Sequence, residues 1–198
     1  MKPILFYDFE TSGLPLFDQP SCDPRQPHIV QLAASLVDQE TRKTIASVDL
    51  IAQPDGWIIP DITTEIHGIT TEHAIKVGVP ESLIVDVLLA MHRQCDFRVG
   101  HNESFDARIM RIAMARFNHP TELMDAYKEA PAYCTCTKAT PICMVAGKFS
   151  GFKKPKLVEA YQHFMGEPMQ NAHSARGDVD ACIAVYWALN AIETAVAA

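Results

Sequence analysis

The chain has 198 residues, of which 48% are hydrophobic and 21% are charged, so we expect one sizeable core and a single domain over residues 1–198. Its formal net charge of −7 argues against an extended electrostatic footprint on nucleic acid, although cations held by carboxylates can reverse the sign of a small site. No run approaches the roughly 18 to 20 apolar residues of a membrane span, and the first apolar run, residues 4–7, is cut short by acidic residues. We therefore expect a soluble, cytoplasmic protein with no membrane partner.

The predicted elements begin with strands and continue with helices. Segments rich in β-branched residues predict three strands, over residues 4–9, 28–37 and 44–52. Segments with helical apolar spacing predict four helices, over residues 80–94, 103–117, 156–165 and 178–195. One short strand, residues 96–102, is predicted between the first two helices. This order predicts an α/β fold with a mixed central sheet flanked by helices.

The first predicted strand ends in two carboxylates, Asp8 and Glu10, within ILFYDFETSGLP. Residues i and i+2 of a strand project to the same face, so both carboxylates are expected to enter one space. Two like charges this close are unfavourable unless a positive charge lies between them. The pair indicates either a solvent-facing strand end or a shared cation site.

Two further aspartates occupy comparable places. Asp106 lies near the start of the helix that follows the strand FRVGHN, and Asp178 opens the last long helix. Each alone is explained by the helix macrodipole, which favours an acid near the N-terminus by roughly 0.3 to 1 kcal/mol. Together with the D-x-E pair, the motifs HNESFD and H-x-x-x-x-D predict one composite acidic site.

These motifs resemble those of the DnaQ-like exonucleases of the DEDDh group. DFET matches the first motif, HNESFD the second and HSARGD the third, and HGIT and KLVEAYQHFMGE resemble segments found at these places in relatives. The resemblance implies a ribonuclease-H-like fold and a 3′-5′ exonuclease that releases nucleoside 5′-monophosphates. It assigns catalysis to five residues, Asp8, Glu10, Asp106, His173 and Asp178. The chain departs from the pattern in the longer LPLFDQPSCDPRQP after the first motif, which leaves the shape of the nearby cleft open.

The chemistry of this donor set favours particular metals. Four carboxylates offer hard oxygen ligands, which suit Mg²⁺ or Mn²⁺ better than a structural zinc. Two such ions about 3.5 to 4 Å apart can activate the attacking water and stabilise the leaving oxygen of a phosphodiester. We therefore expect two divalent cations, Mg²⁺ or Mn²⁺, as cofactors, held by Asp8, Glu10, Asp106 and Asp178.

His173 requires a separate interpretation, because five residues along a regular helix do not bring it onto the face of Asp178. Both can meet one metal centre only if His173 lies in the loop before the helix, with Ser174 as a candidate N-cap. An imidazole with a pKa near neutrality is suited to remove the proton of the attacking water. The alternative is an ordinary surface histidine.

Contacts to the substrate follow from the resemblance. Thr11 and Leu14 are expected to meet the terminal nucleotide, with His101, Asn102 and Phe105 nearby, although Leu14 and Phe105 would also suit a core. In GKFSGFKKPK, residues 147–156, lysines alternate with aromatic residues, which indicates either a surface that holds a single strand or a solvated loop.

The six cysteines lack the dense spacing of a secreted scaffold, so we expect most of them to be reduced and several of them to be buried. The C-x-C pair at residues 134–136, with a third cysteine at 143, lacks the paired spacing of a zinc site.

Two other function classes were weighed against the exonuclease. A phosphomonoesterase with an aspartyl nucleophile would need D-x-D in place of D-F-E and would leave Asp106 and His173 without a role. A non-enzymatic interaction module would be favoured by the loss of an acid, and none is missing. The expected partners are the 3′ ends of single-stranded DNA or RNA, and we favour DNA. Both stay open because discrimination of the 2′-hydroxyl depends on the shape of the cleft, which the sequence does not show. A polymerase partner is compatible with the sequence but not indicated by it, and the sequence does not define the oligomeric state.

Overall fold

The computed structural model describes residues 2–148, 150–170 and 174–197. Its six strands are β1 (Ile4–Thr11), β2 (Ile29–Val37), β3 (Thr44–Gln53), β4 (Val79–Pro80), β5 (Arg98–Gly100) and β6 (Ala132–Cys134). They form one sheet in the order β4-β3-β2-β1-β5-β6. The pairs β1–β2 and β2–β3 are antiparallel, whereas β1–β5, β5–β6 and β3–β4 are parallel. The predicted mixed sheet is therefore confirmed.

The described helices are α1 (Asp61–His67), α2 (Thr71–Val77), α3 (Glu81–His92), α4 (Glu103–Arg116), α5 (Thr121–Glu129), α6 (Thr135–Cys143), α7 (Leu157–Met165) and α8 (Ala175–Ala197). The four predicted helices correspond to α3, α4, α7 and α8. The start of α8 lies three residues earlier than expected, because Ser174 caps it. The Gly177 N–H donates to Ser174 Oγ at 3.2 Å and the Asp178 N–H donates to the Ser174 carbonyl at 2.9 Å.

The two faces of β1 pack against different helices. Its odd-numbered side chains, Leu5, Tyr7 and Phe9, lie in the core cluster that α3 and α4 cover. Ile4 and Phe6 lie in a second cluster with side chains of α8. Because the side chains of a strand alternate, Asp8 and Glu10 project to the face that α8 covers.

Helix α8 is, among the described residues, the one helix that is long and apolar enough to cross a membrane by length and composition alone. Its side chains Val179, Cys182 and Tyr186 pack against β1, and Val185 and Leu189 pack against α6 and α7. This packing in the core accounts for part of the apolar composition of the helix, since 33% of its most apolar window is buried.

All six cysteines are free, as predicted, and Cys95, Cys136 and Cys182 are buried. In the part of the chain that the structure describes, no cysteine belongs to a group of side chains with metal-ligand spacing.

Candidate active site

Three of the predicted acids meet at the carboxyl end of β1. One carboxylate oxygen from each of Asp8, Glu10 and Asp178 lies within 4.8 Å of the other two. The two strand residues share a face, and α8 places Asp178 over that face one turn after its Ser174 cap. The structure thus brings together residues that are 170 positions apart in the chain, in an arrangement that can hold a cation.

The fourth acid, Asp106, approaches from the first turn of α4. It is only 2% exposed, and its Oδ1 accepts a hydrogen bond from the Phe9 N–H at 3.2 Å. Its carboxylate does not belong to the group of three, but its negative charge raises the pKa of Asp8. Asp106 therefore lies at the edge of β1 on the β5 side, beside the residue between the two strand acids.

The electrostatics of the cluster are unfavourable without a cation. Burial raises the pKa of Asp8 well above its ordinary value, and neighbouring carboxylates raise it further, in the order Asp106, Asp178 and Glu10. Burial and then the charge of Asp178 raise the pKa of Glu10 from 4.5 to about 7.

Burial also raises the pKa of Asp106, and the hydrogen bond from Phe9 opposes this shift. Hard oxygen donors with an excess of negative charge fit Mg²⁺ or Mn²⁺.

A buried polar network that the sequence analysis missed ties α4 to the sheet. The Tyr7 hydroxyl donates to Glu103 Oε1 at 2.9 Å, and Arg98 Nε donates to the same oxygen at 2.5 Å. Arg98 Nη1 also donates to the Tyr127 carbonyl at 2.7 Å, and the guanidinium lies 4.5 Å from the centroid of the Tyr127 ring. Glu103 and Asp106 thus fix the first turn of α4 to β1 at two adjacent points. A signal was available, since Arg98 is a charged residue inside a predicted strand and Glu103 is the first residue of the helix predicted after it.

The turn from β5 into α4 contains two of the predicted substrate contacts. Asn102 is exposed and adopts a left-handed conformation, with φ 70° and ψ 41°, which makes the turn sharp enough for α4 to begin directly after β5. His101 is engaged within the protein, with Nδ1 2.9 Å from Thr135 Oγ1 and Nε2 3.0 Å from the Pro155 carbonyl. Because a carbonyl only accepts, Nε2 carries the proton, and burial lowers the pKa of His101 so that the ring stays neutral. Phe105 is half-buried and packs against the core cluster under α4.

The other two predicted contacts line a cleft beside the acids. This cleft has a volume of about 390 Å³, and its walls come from the end of β1, the loop after it and α1. Leu14 is 75% exposed and faces this space together with Ile62 and Ile66. The Thr11 hydroxyl donates to the Gly13 carbonyl at 2.8 Å. The cleft is thus an apolar space that opens beside Glu10.

His67, in the segment HGIT, also lines this cleft. Its Nδ1 accepts the Ile69 N–H at 3.1 Å, so the proton of the neutral ring is on Nε2. Burial lowers the pKa of His67 and keeps the ring neutral. Within the described part of the chain, the buried Nε2 has no hydrogen-bond partner. His67 therefore carries a buried donor that has no partner among the described residues, at the wall of the cleft, a feature that the sequence did not indicate.

The lysine-rich segment forms a small hairpin. Lys153 N–H donates to the Val145 carbonyl at 2.9 Å, and Gly147 N–H donates to the Gly151 carbonyl at 3.1 Å. Lys153 Nζ is bound to both oxygens of Glu159, at 2.6 and 2.8 Å, so this lysine is engaged by α7. Lys148, Lys154 and Lys156 are exposed, and their contact with a single strand stays a prediction. His173, the predicted general base, lies outside the described residues.

The chain matches the exonuclease family RNase_T over residues 5–186. No curated protein sequence matches it significantly. Three similar solved structures are E. coli exonuclease I in complex with a dA16 oligonucleotide, the zinc ion bound form of the E. coli ExoI-ssDNA complex, and the ExoI/SSB-Ct complex.

Their TM-scores are 0.70, 0.71 and 0.68, with sequence identities of 20%, 20% and 19%. The matches cover 96%, 98% and 98% of this chain, but only 41%, 41% and 44% of those chains. The chain thus spans about two fifths of the length of these exonucleases. The likeness confirms the ribonuclease-H-like fold. Since the family match extends over all three motifs, the resemblance to the DnaQ-like exonucleases is confirmed and the chain belongs to the RNase_T exonuclease family.

Proposed function

We propose that this chain is a 3′-5′ exonuclease that hydrolyses single-stranded nucleic acid, preferably DNA, with two divalent cations, and releases nucleoside 5′-monophosphates. The observation that carries the proposal is the convergence of Asp8, Glu10 and Asp178 within 4.8 Å, beside an open cleft, in a member of an exonuclease family. The 3′-5′ polarity comes from the family resemblance. Two of the similar structures are of E. coli exonuclease I with a dA16 oligonucleotide and of its complex with ssDNA, which supports the choice of substrate.

The four acids are the residues that would hold the cations. Mg²⁺ or Mn²⁺, when bound, supplies the positive charge that activates a water molecule and stabilises the leaving oxygen. Asp8 and Glu10 offer their oxygens from β1, and Asp178 offers its oxygens from α8. Because burial and the charge of Asp178 raise the pKa of Glu10 to about 7, a cation bound here would displace a proton near neutral pH, and metal affinity should rise with pH.

The cleft beside the acids would orient the terminal nucleotide. Leu14, Ile62 and Ile66 offer apolar contact to a base or sugar, and Nε2 of His67 offers a hydrogen bond. A recessed cleft of this kind favours single strands or frayed ends, since a paired 3′ nucleotide would not reach it. His173, which directly precedes the Ser174 cap in the sequence, would take the proton of the attacking water.

A product ladder tests this proposal directly. The protein is incubated with oligonucleotides of DNA or RNA that carry a 5′ fluorophore, with Mg²⁺ or Mn²⁺, and the fragments are resolved over time. We expect a descending ladder of labelled fragments with unlabelled nucleoside 5′-monophosphates, faster for DNA, and no reaction in EDTA or with Asp178→Ala. Immediate release of the labelled nucleotide would show the opposite polarity. Release of inorganic phosphate from 3′- or 5′-phosphorylated oligonucleotides, with no shortening, would show a phosphomonoesterase.

A further inference from the structure

The loop that departs from the family pattern is built around one buried amide. Residues 12–28 join β1 to β2 without a helix or strand, and Gln26 within them is only 2% exposed. Its Oε1 accepts the Leu16 N–H at 3.0 Å. Its Nε2 donates to the carbonyls of Leu16 at 3.1 Å and Pro20 at 3.0 Å. The side chain of Gln26 thus replaces the regular hydrogen bonds that this segment lacks.

Helix α4 fixes the outside of the same loop. Arg108 donates from Nη1 to Ser21 Oγ at 2.9 Å and from Nη2 to the Gln19 carbonyl at 2.6 Å. Arg116 Nη2 donates to the carbonyls of Gln26 at 2.8 Å and Pro27 at 2.9 Å. These bonds join the loop to the helix that carries Asp106. The loop therefore has a defined position relative to the acids before any substrate binds.

This fixed loop nevertheless presents an aromatic ring to solvent. Phe17 is 71% exposed. It follows Leu14, a wall of the cleft, by three residues, which span at most about 10 Å of extended chain. A single exposed aromatic residue needs no explanation on its own. Phe17 differs because the backbone on both sides of it is hydrogen-bonded, to the Gln26 side chain at residue 16 and to the Arg108 side chain at residue 19. Little backbone conformational entropy is therefore lost when Phe17 binds a ligand.

We propose that Phe17 stacks on a base of the substrate strand upstream of the terminal nucleotide. This inference rests on the proposed exonuclease function and adds a second contact to it, for single-stranded nucleic acid of any sequence. Stacking is tolerant of sequence because every base has a π-face. The contact is made by the ring and not by charge, since Asp18 follows Phe17 in the sequence and Arg25, in the same loop, is paired with Asp23 at 2.7 Å. Its contribution should therefore depend little on salt.

The dependence of cleavage on substrate length tests the proposal. For each protein, kcat/KM is measured on a deoxydecanucleotide and on a dinucleotide, which is too short to reach a second contact. We expect Phe17→Ala to lower the decanucleotide-to-dinucleotide ratio about tenfold, the usual effect of one stacked base. Phe17→Trp should restore the ratio, whereas Phe17→Leu, which keeps an apolar side chain without a ring, should not.

A matched control is Ile45→Ala, which removes another exposed apolar side chain, 59% exposed on β3 at the opposite end of the sheet. It should leave the ratio unchanged. A ratio for Phe17→Ala within twofold of wild type, in a protein with an unchanged melting temperature, would overturn the inference while the exonuclease function stands. Absence of cleavage by the wild-type protein on both substrates would overturn the proposed function and this inference with it.

Discussion

Replacing Glu10 with glutamine should stabilise the metal-free protein. The folded state raises the pKa of Glu10 from 4.5 to about 7, so folding favours the protonated carboxyl. Below about pH 4.5 both the folded and the unfolded chain carry the proton, and Glu10 has no net effect on stability. Above about pH 7 the folded protein must hold the charged form, which it disfavours. The resulting destabilisation therefore grows as the pH rises from 4.5 to 7, and Glu10→Gln removes it.

The size of the effect follows from the same shift. Each unit of pKa difference between the folded and unfolded states corresponds to roughly 1.4 kcal/mol of stability. The upper bound for the destabilisation by charged Glu10 is therefore about 3 kcal/mol. Asp8 has a raised pKa too and can take up the shared proton, which lowers the expected gain to about 2 kcal/mol. For a chain of this length, this gain raises the melting temperature by about 4 to 8 °C.

Thermal unfolding in EDTA at pH 5 and pH 8 measures this prediction. Glu10→Gln should melt above wild type at pH 8, and most of the difference should disappear at pH 5. Glu40→Gln is the matched control, because Glu40 is exposed in the turn between β2 and β3 at the far end of the sheet. With saturating Mn²⁺, the difference in melting temperature between Glu10→Gln and wild type should become smaller or change sign. A ligand at 100 times its Kd adds about 2.7 kcal/mol to the protein that binds it, and the variant has lost one donor.

Two results would refute this reasoning. If Glu10→Gln melts at or below wild type in EDTA at pH 8, repulsion among the acids is not a significant cost in the folded protein. If Mn²⁺ raises the melting temperature of both proteins equally, the ions bind somewhere other than this cluster.

Three other substitutions test separate parts of the site. Asp106→Asn should abolish most cleavage while the metal-free melting temperature holds or rises, as measured by the ladder assay and thermal unfolding. Glu103→Ala should cost about 3 to 5 kcal/mol in urea unfolding because it leaves Arg98 buried and unpaired, and a cost below about 1 kcal/mol would contradict that network. His173→Ala should keep the Mn²⁺-induced stabilisation but lose about 10² to 10⁴ in rate, together with the rise in rate near about pH 6.5. An unchanged rate and pH profile would remove His173 from the mechanism.

The long elements of this fold could be predicted because each has one clear pattern. The strands β1, β2 and β3 were predicted to within two residues at each end, since runs of β-branched residues separated by turns have no competing interpretation. Helices α1 and α2 were missed because seven residues give only two helical turns, too few for an apolar periodicity.

Helix α6 was missed because Pro141 lies inside it, and a proline normally argues against a helix. β6 has only three residues. These short elements are held by the sheet and by α8 and not by their own sequence preferences.

The sequence predicts which residues form the site, but it does not predict where each side chain lies relative to the sheet. The spacing of Asp8 and Glu10 places them on one face in any strand, and their convergence with Asp178 followed from matching the three motifs. That Asp106 lies at the edge of β1, bound to the Phe9 N–H, depends on where α4 begins relative to the sheet, and a single sequence does not specify this. The engagement of His101 with Thr135 and Pro155 likewise required the position of segments more than 30 residues away.

The arrangement explains how an unfavourable cluster of charges is kept in place. Asp8 and Glu10 cannot move apart without disrupting β1, which is paired with β2 along its length and with β5 at Leu5 and Phe6. Helix α4 is bound to the same strand through Glu103 and Asp106, and the start of α8 is bound to β2, where Arg176 donates to Ser35 Oγ at 2.9 Å. The backbone therefore holds the acids together although their charges oppose it, so cation binding need not reorganise the fold. The repulsion that the folded chain retains at neutral pH is then relieved mainly by a proton or by a cation, and these two compete for the same oxygens.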